Sequence, residues 1–237
     1  MVAERTQPPP SGRTRVRREP HRGRYDRPTI DAVLDAALVC HLAFVDDGQP
    51  FAVPTLHARV GDVVYVHGSS AGRALRALAA GAPACLTATM IDGLVLARSV
   101  FEHSVDYRSA VLLGRLHAVE EPGEKLAALE AFTEKLLPGR WAEARSPNRK
   151  ELAATSILAM PIEEASAKVR SGPPGDGDGE DAALPVWAGN LPLITAWGDP
   201  LPDPVLRPGI PVPASVRNLL GGDTVSALPD GAIDGIR

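Results

Sequence analysis

Two cysteines in 237 residues, Cys40 and Cys85, form no CxxC pair and no repeated spacing, which leaves neither a disulfide scaffold nor a zinc ribbon. A reducing cytoplasm is the expected compartment. No apolar run reaches the roughly 18–20 residues that a membrane-spanning helix needs, and the Pro- and Arg-rich amino terminus is not built like a secretory signal. Cationic excess is missing too: 25 Lys and Arg stand against 29 Asp and Glu, so the formal net charge of −4 argues against bulk attraction to nucleic acid or an anionic membrane. Catalytic and metal signatures are equally sparse. Residues 68–73, Gly-Ser-Ser-Ala-Gly-Arg, lack the Lys-Ser/Thr of a P-loop, and His103, Ser104 and Asp106 cluster without a nucleophile elbow. No carboxylate accompanies any two of His41, His57, His67, His103 and His117 at a spacing typical of metal ligands.

What is present is 44% hydrophobic residues, ordinary for a soluble globular chain and sufficient for a substantial core. Residues 1–28 carry eight arginines among prolines and read as a flexible basic arm, with Tyr25-Asp26 near its docking point. Thr29 is the expected cap of a helix ending at Ala37. Residues 38–45 and 51–60 read as a hairpin around Asp46-Asp47-Gly48, with Pro54 placing the second strand at an edge, bulge or opening. A strand over 63–68 leads to a helix over 70–80, then to strands from about Ala84, at 94–102 and at 107–119. Leu126, Leu129, Phe132 and Leu136 recur at helical spacing within 124–137, and 155–162 and 165–171 read as late strands. Several hairpin-linked strands with short helices between them predict an α+β fold with an antiparallel barrel core rather than a parallel nucleotide-binding sheet. The domain is expected over 29–171, followed by a flexible acidic Gly/Pro loop at 172–184 and a cover segment with a tail at 185–237.

The centre of interest is 94–119, where apolar runs flank His103, Ser104, Tyr107, Arg108 and Ser109, too many hydrogen-bonding groups to bury without partners. They read together as an anion site. A second phosphate-competent stretch follows His67-Gly68, where a helix beginning near Ser69-Ser70 would offer free amides and Arg73 a forked cation. Lys168 and Arg170 alternate onto one strand face.

Taken in order, RREPHRGRYDR, QPFAVPTLHAR, VVYVHGSSAGRALRAL, GLVLARSVFEHSVDYRSAVLLGR, PGRW, SAKVRSGPP and VWAGNLPL resemble the pyridoxamine 5′-phosphate oxidase-related flavin-nucleotide-binding family, in the branch similar to nitroimidazole-resistance proteins. The resemblance implies a split β-barrel, a homodimer and FMN at the subunit interface. It implies phosphate-facing roles for Arg73, Arg108 and Ser109 with Ser69 and Ser70 nearby, and places His67, Thr87, Ser104 and Tyr107 toward the ribityl chain or ring. Lys168, Arg170 and Trp187 rank second, and His67 is the catalytic candidate. At Val105-Asp106 the chain departs from a Met-Asn-like pattern and sets a carboxylate beside the expected phosphate. The implied activity is hydride transfer through flavin N5 to or from a small organic molecule, which needs no protein nucleophile. The alternative is a non-catalytic carrier or sensor of flavin or haem.

Overall fold

The computed structural model describes residues 7–221; the first six residues of the expected arm and the end of the expected tail lie outside the described residues. The strands are β1 (Gly23–Arg24), β2 (Val39–Asp46), β3 (Gln49–Val60), β4 (Val63–Ser69), β5 (Pro83–Leu96), β6 (Ser104–Arg115), β7 (His117–Ala118), β8 (Thr155–Pro161), β9 (Glu164–Arg170) and β10 (Gly189–Pro192). The helices are α1 (Arg27–Ala36), α2 (Arg73–Ala79), α3 (Pro122–Leu136), α4 (Arg140–Glu143), α5 (Arg149–Ala154) and α6 (Ala214–Gly221). Strand order is β1-β9-β6-β5-β2-β3-β4-β8-β7, with β10 added alongside β5, and the pairs are antiparallel. Only Ile162 and Glu163 separate β8 from β9, yet these strands stand near opposite ends of that order. The sheet must therefore curl until its ends approach, which makes the split barrel that the alternating runs predict.

Local chemistry explains where the elements begin and end. Asp47 and Gly48 both have positive φ (48° and 76°) between the paired Asp46 and Gln49, the two-residue turn that matches strand twist. β3 pairs with β2 over Gln49–Leu56 and with β4 only over His57–Val60, so Pro54 lies where β3 has left β4 and its missing N–H costs no ladder bond. The cap of α1 is Asp26 rather than Thr29: its carboxylate accepts from the Thr29 amide at 2.9 Å, and Pro28 is tolerated in a first turn. α2 starts at Arg73, not near Ser69-Ser70. Gly72 precedes it, and Ser69 instead ends β4 and uses its carbonyl and hydroxyl to close the turn.

Strand boundaries near the expected anion site also differ from expectation. One fourteen-residue strand, β5, replaces separate strands near 84 and at 94–102, and β6 begins at Ser104. Asp176 explains the break, because its carboxylate accepts from the Arg98 and Ser99 amides at 2.6 and 2.8 Å and so removes them from the ladder. Asp176 is buried, and those amides with Arg98 hold its carboxyl below the usual range. The acidic loop is thus pinned to the barrel rather than free. The basic arm is seated as well: Thr14 is buried, Ser11 and Arg13 bind Glu164, and β1 pairs with β9. The cover segment touches the sheet through β10, while Leu193, Ile194, Trp197 and Leu201 beyond it stay exposed. Among the described residues no helix is long and apolar enough to cross a membrane.

Inside the barrel, Leu42, Phe44, Val64, Val66, Leu86, Leu112, Leu158 and Met160 pack with Ile30, Val33 and Leu34 of α1 and Leu75 and Leu78 of α2. A second cluster outside it sets Ala58, Tyr65, Ile157 and Ala159 against Ala128 and Phe132 of α3. Between the two, His57 is fully buried, its Nε2 lying 2.8 Å from the Leu34 carbonyl and 3.0 Å from Lys135 Nζ, which itself donates to that carbonyl at 2.7 Å. Burial, reinforced by the Lys135 ammonium, pushes the His57 imidazole down to about 4. An unfolded histidine titrates near 6.5, so this contribution is complete above that pH and is lost as pH falls toward 4, on the order of 3 kcal/mol across the window. Urea titrations between pH 7 and 4.5 should show this loss, and His57→Leu should flatten it; an equal slope in both proteins contradicts the assignment.

Candidate functional site

The long β5–β6 pair decides which side chains meet. Successive strand residues point to opposite faces, and residues opposite one another across the ladder share a face. Thr87 stands opposite Val111, Thr89 opposite Ser109 and Ile91 opposite Tyr107, while across the next ladder Ser109 faces Lys168 and Tyr107 faces Arg170, all on the outer face of the barrel. Arg108, between Tyr107 and Ser109, points the other way. The expected grouping of His103 to Ser109 into one anion site is therefore divided.

Arg108 lies in a cleft of about 670 Å³ between the end of α1, β5 and the segment after β10. A bulge between Ile91 and Gly93 leaves Asp92 unpaired in the ladder and turns its carboxylate onto Arg108, with contacts of 2.9 and 2.7 Å. This two-pronged contact raises the Arg108 pKa further and occupies the fork expected to grip phosphate. Ser109 donates to the Lys168 carbonyl at 3.3 Å, so its hydroxyl is also engaged within the sheet.

The outer face leads into a cationic cleft of about 560 Å³ lined by Ser104, Tyr107, Lys168 and Arg170 together with His103, Glu102 and, from the arm, Arg18, Glu19 and Arg22. Arg170 is the buried anchor. Its guanidinium meets Asp106 and the carbonyls of Gly172 and Pro173, and the other Asp106 oxygen accepts from Asn190 of β10. The carboxylate that departs from the family pattern is thereby balanced inside the protein instead of facing a ligand.

A third cleft, about 380 Å³, opens in the split where β3 leaves β4. Leu42, Val53, Pro54, Val66, Ala74 and Leu75 make it apolar, and Thr55, His67, Ser69 and Arg73 are its polar lining. Ser70 is exposed and is not part of it. The Arg73 guanidinium rests 5.0 Å from the Phe51 ring centroid, and among the described residues no carboxylate pairs with it. His67 packs edge-on against Phe132 at 4.4 Å, and its Nδ1 is buried with no hydrogen-bond partner. Burial lowers the His67 pKa, so the ring is neutral at pH 7 and keeps a lone pair. Trp187 is 67% exposed and lines none of the three clefts.

Three residues that matter here carry little signal in the sequence. Asp92 acts only because of the bulge, Phe51 only because β3 crosses the split, and Arg18 only because the arm is seated.

Residues 26–169 match the model of the pyridoxamine 5′-phosphate oxidase family. The chain belongs to the pyridoxamine 5′-phosphate oxidase family. Within solved structures this family member is similar to the flavocytochrome Anf3 from Azotobacter vinelandii, with 42% identity over 89% of this chain and 98% of that one and a TM-score of 0.84. It is also similar to a FAD and haem binding protein from Mycobacterium smegmatis, with 44% identity over 84% and 97% of the two chains and a TM-score of 0.80. A candidate 5-nitroimidazole antibiotic resistance protein from Bacteroides thetaiotaomicron shares the fold at 21% identity, 62% and 86% coverage and a TM-score of 0.54. No curated protein matches the chain.

The Arg170–Asp106 pair supplies a direct check on how this family member holds its cationic cleft. Side-chain exposures of 8% and 14% place both partners inside the protein, so Arg170→Met leaves Asp106 short of its main counter-charge. Unfolding free energy should fall by about 3 kcal/mol, and adding Asp106→Asn should restore part of it. A change below about 0.5 kcal/mol in the single variant would place the pair among ordinary surface contacts.

Proposed function

We propose that the protein is a redox flavoprotein that also carries haem, with the phosphate end of the flavin in the cationic cleft and the haem in the apolar cleft. The observation that carries this reading is the presence, on one barrel, of two clefts of opposite chemistry: Lys168, Arg170, Tyr107 and Ser104 in one, His67 and Arg73 in an apolar wall in the other. Relatives at 42% and 44% identity, a flavocytochrome and a FAD and haem binding protein, support the same pairing. FAD is the preferred nucleotide over the expected FMN, following the Mycobacterium smegmatis protein.

A flavin held here would supply hydride chemistry and a haem one-electron chemistry, which together would link a two-electron donor or acceptor to single-electron transfer. The chain's own residues bind and orient. Lys168, unpaired with any carboxylate among the described residues, would offset phosphate charge, Arg170 held by Asp106 would frame the cleft, and Tyr107 and Ser104 could donate hydroxyl hydrogens beside it. Thr87 and Ser109 lie along the outer face toward the ring end. A neutral His67 would hold a haem iron more readily than serve as a catalytic acid, and Arg73, paired with no carboxylate among the described residues, would meet a propionate.

The outer face of β2 and β5 exposes Val39, Val45 and Ile91. That face supports a homodimer built around the flavin, and the purified protein should then have the mass of two chains in solution. Its absorption spectrum should combine flavin bands with a Soret band. His67→Ala should lower haem content at least tenfold while leaving flavin content within twofold of wild type. Equal haem in the variant contradicts the ligand assignment, and a protein that takes up neither cofactor contradicts the function.

A further inference from the structure

Residues before 26 lie outside the segment that the family model matches, yet the amino-terminal arm brings two of the four cations that line the cationic cleft. The arm is held for this by several independent contacts. Ser11 and Arg13 bind the Glu164 carboxylate at 3.0 Å each, Thr14 is buried, and the Val16 amide donates to the Tyr25 hydroxyl at 2.8 Å. Beyond these, Gly23 and Arg24 add to the sheet opposite Lys168 and Ala167, so the arm ends beside the lysine that lines the cleft.

Between the anchors the chain makes a tight turn. Glu19 has φ 53°, a left-handed conformation that a residue with a side chain seldom adopts, and the 3-10 turn Pro20–Arg22 follows it directly. Arg24 stiffens that turn by donating to the carbonyls of His21 and Gly23 at 2.7 and 2.9 Å. Arg18 and Arg22 are thereby presented to the cleft from the side opposite β6. Gly23 is what lets the arm fold back so closely: a Cβ there would meet Val16 Cβ at 3.1 Å, the Pro20 carbonyl at 3.2 Å and the Tyr25 hydroxyl at 3.2 Å.

The charges agree with this placement. Arg18, Arg22, Lys168 and Arg170 face two lining carboxylates, Glu19 and Glu102, of which Glu19 is engaged by Arg22 at 3.4 Å. Arg170 is further paired with Asp106, so the excess over these three carboxylates is one positive charge, and Arg18 and Lys168 are the two lining cations without an ion pair among the described residues. A phosphate monoester or a nucleotide diphosphate carries close to two negative charges at neutral pH and presents oxygens suited to guanidinium forks.

We infer that the arm is part of the cofactor site, with Arg18 and Arg22 closing the cationic cleft over the phosphate end of the flavin nucleotide. This rests on the reading that the flavin's phosphate end occupies that cleft. The arm's arginines then serve a small anionic ligand, and the arm is a wall of the site.

The test uses the full chain, stripped of flavin and retitrated separately with FAD and with FMN, with haem content and melting temperature followed in parallel. In Arg18→Ala/Arg22→Ala the dissociation constant for FAD should rise at least tenfold while haem content and melting temperature stay at wild-type values. A parallel rise for FMN places the arginines on the phosphate the two nucleotides share, and a rise for FAD alone places them on the second phosphate; either supports the inference. Gly23→Val, which keeps both arginines but obstructs the arm's seat, should weaken FAD binding by a similar factor. FAD affinity within twofold of wild type in both variants overturns the role of the arm and leaves the flavin reading standing. A wild-type protein that binds neither nucleotide overturns both.

Discussion

Most of this structure depends on the pairing of β5 with β6 from Pro83 opposite Arg115 to Val95 opposite Ser104. One face of that pair feeds Leu86, Ala88, Ala110 and Leu112 into the barrel core, and the other presents Thr87, Thr89, Tyr107 and Ser109 outward. A shift of one residue would exchange these sets, so burial of the inner set also fixes the address of every outward polar group. β2, β9 and β10 all attach to this pair, and the arm attaches through β9. The β6–β9 floor of the cationic cleft is thus a consequence of core packing, and the arm with residues 101–103 and 173–175 completes its walls.

The same register accounts for how charge is handled. Two arginines near the polar centre look equivalent along the chain, but each finds a different carboxylate: Arg108 meets the bulged Asp92, and Arg170 meets Asp106. Neither is a bare cation waiting for phosphate. Arg73, Arg18 and Lys168 are free of such internal carboxylate pairing among the described residues, and they fall in two separate clefts rather than one. The free cations are thus divided between an apolar and a polar surface of one small barrel, which is the division that the proposed pair of cofactors would use.

Much of the fold was legible in the chain. Alternating apolar positions marked the strands, Asp47-Gly48 marked the hairpin, Pro54 marked the opening of the split, and the ordered set of motifs pointed to the family. The site was legible only in part. Reading residues 103–109 as one insert merges side chains that a strand sends to opposite faces, and nothing local to Arg108 announces that Asp92 will be turned toward it by a bulge. Composition was misleading in two places, because an arginine-rich arm and a Gly/Pro/Asp loop resemble free segments unless their long-range partners are known. Thr14, Tyr25 and Asp176 are those anchors, and each acts on residues far away in the fold or across a turn that the chain order does not display. Phe51 and Arg73 likewise meet only after the barrel has curled.

The central claim is that flavin and haem occupy separate clefts on the same chain. Calorimetric titration of cofactor-free protein with haem, with FAD, and with each after saturation by the other tests it most directly. One equivalent of each per chain, with the second binding whether or not the first is present, is the result predicted. Mutual displacement, in which saturation by one abolishes binding of the other, would mean a single shared groove and would contradict the account.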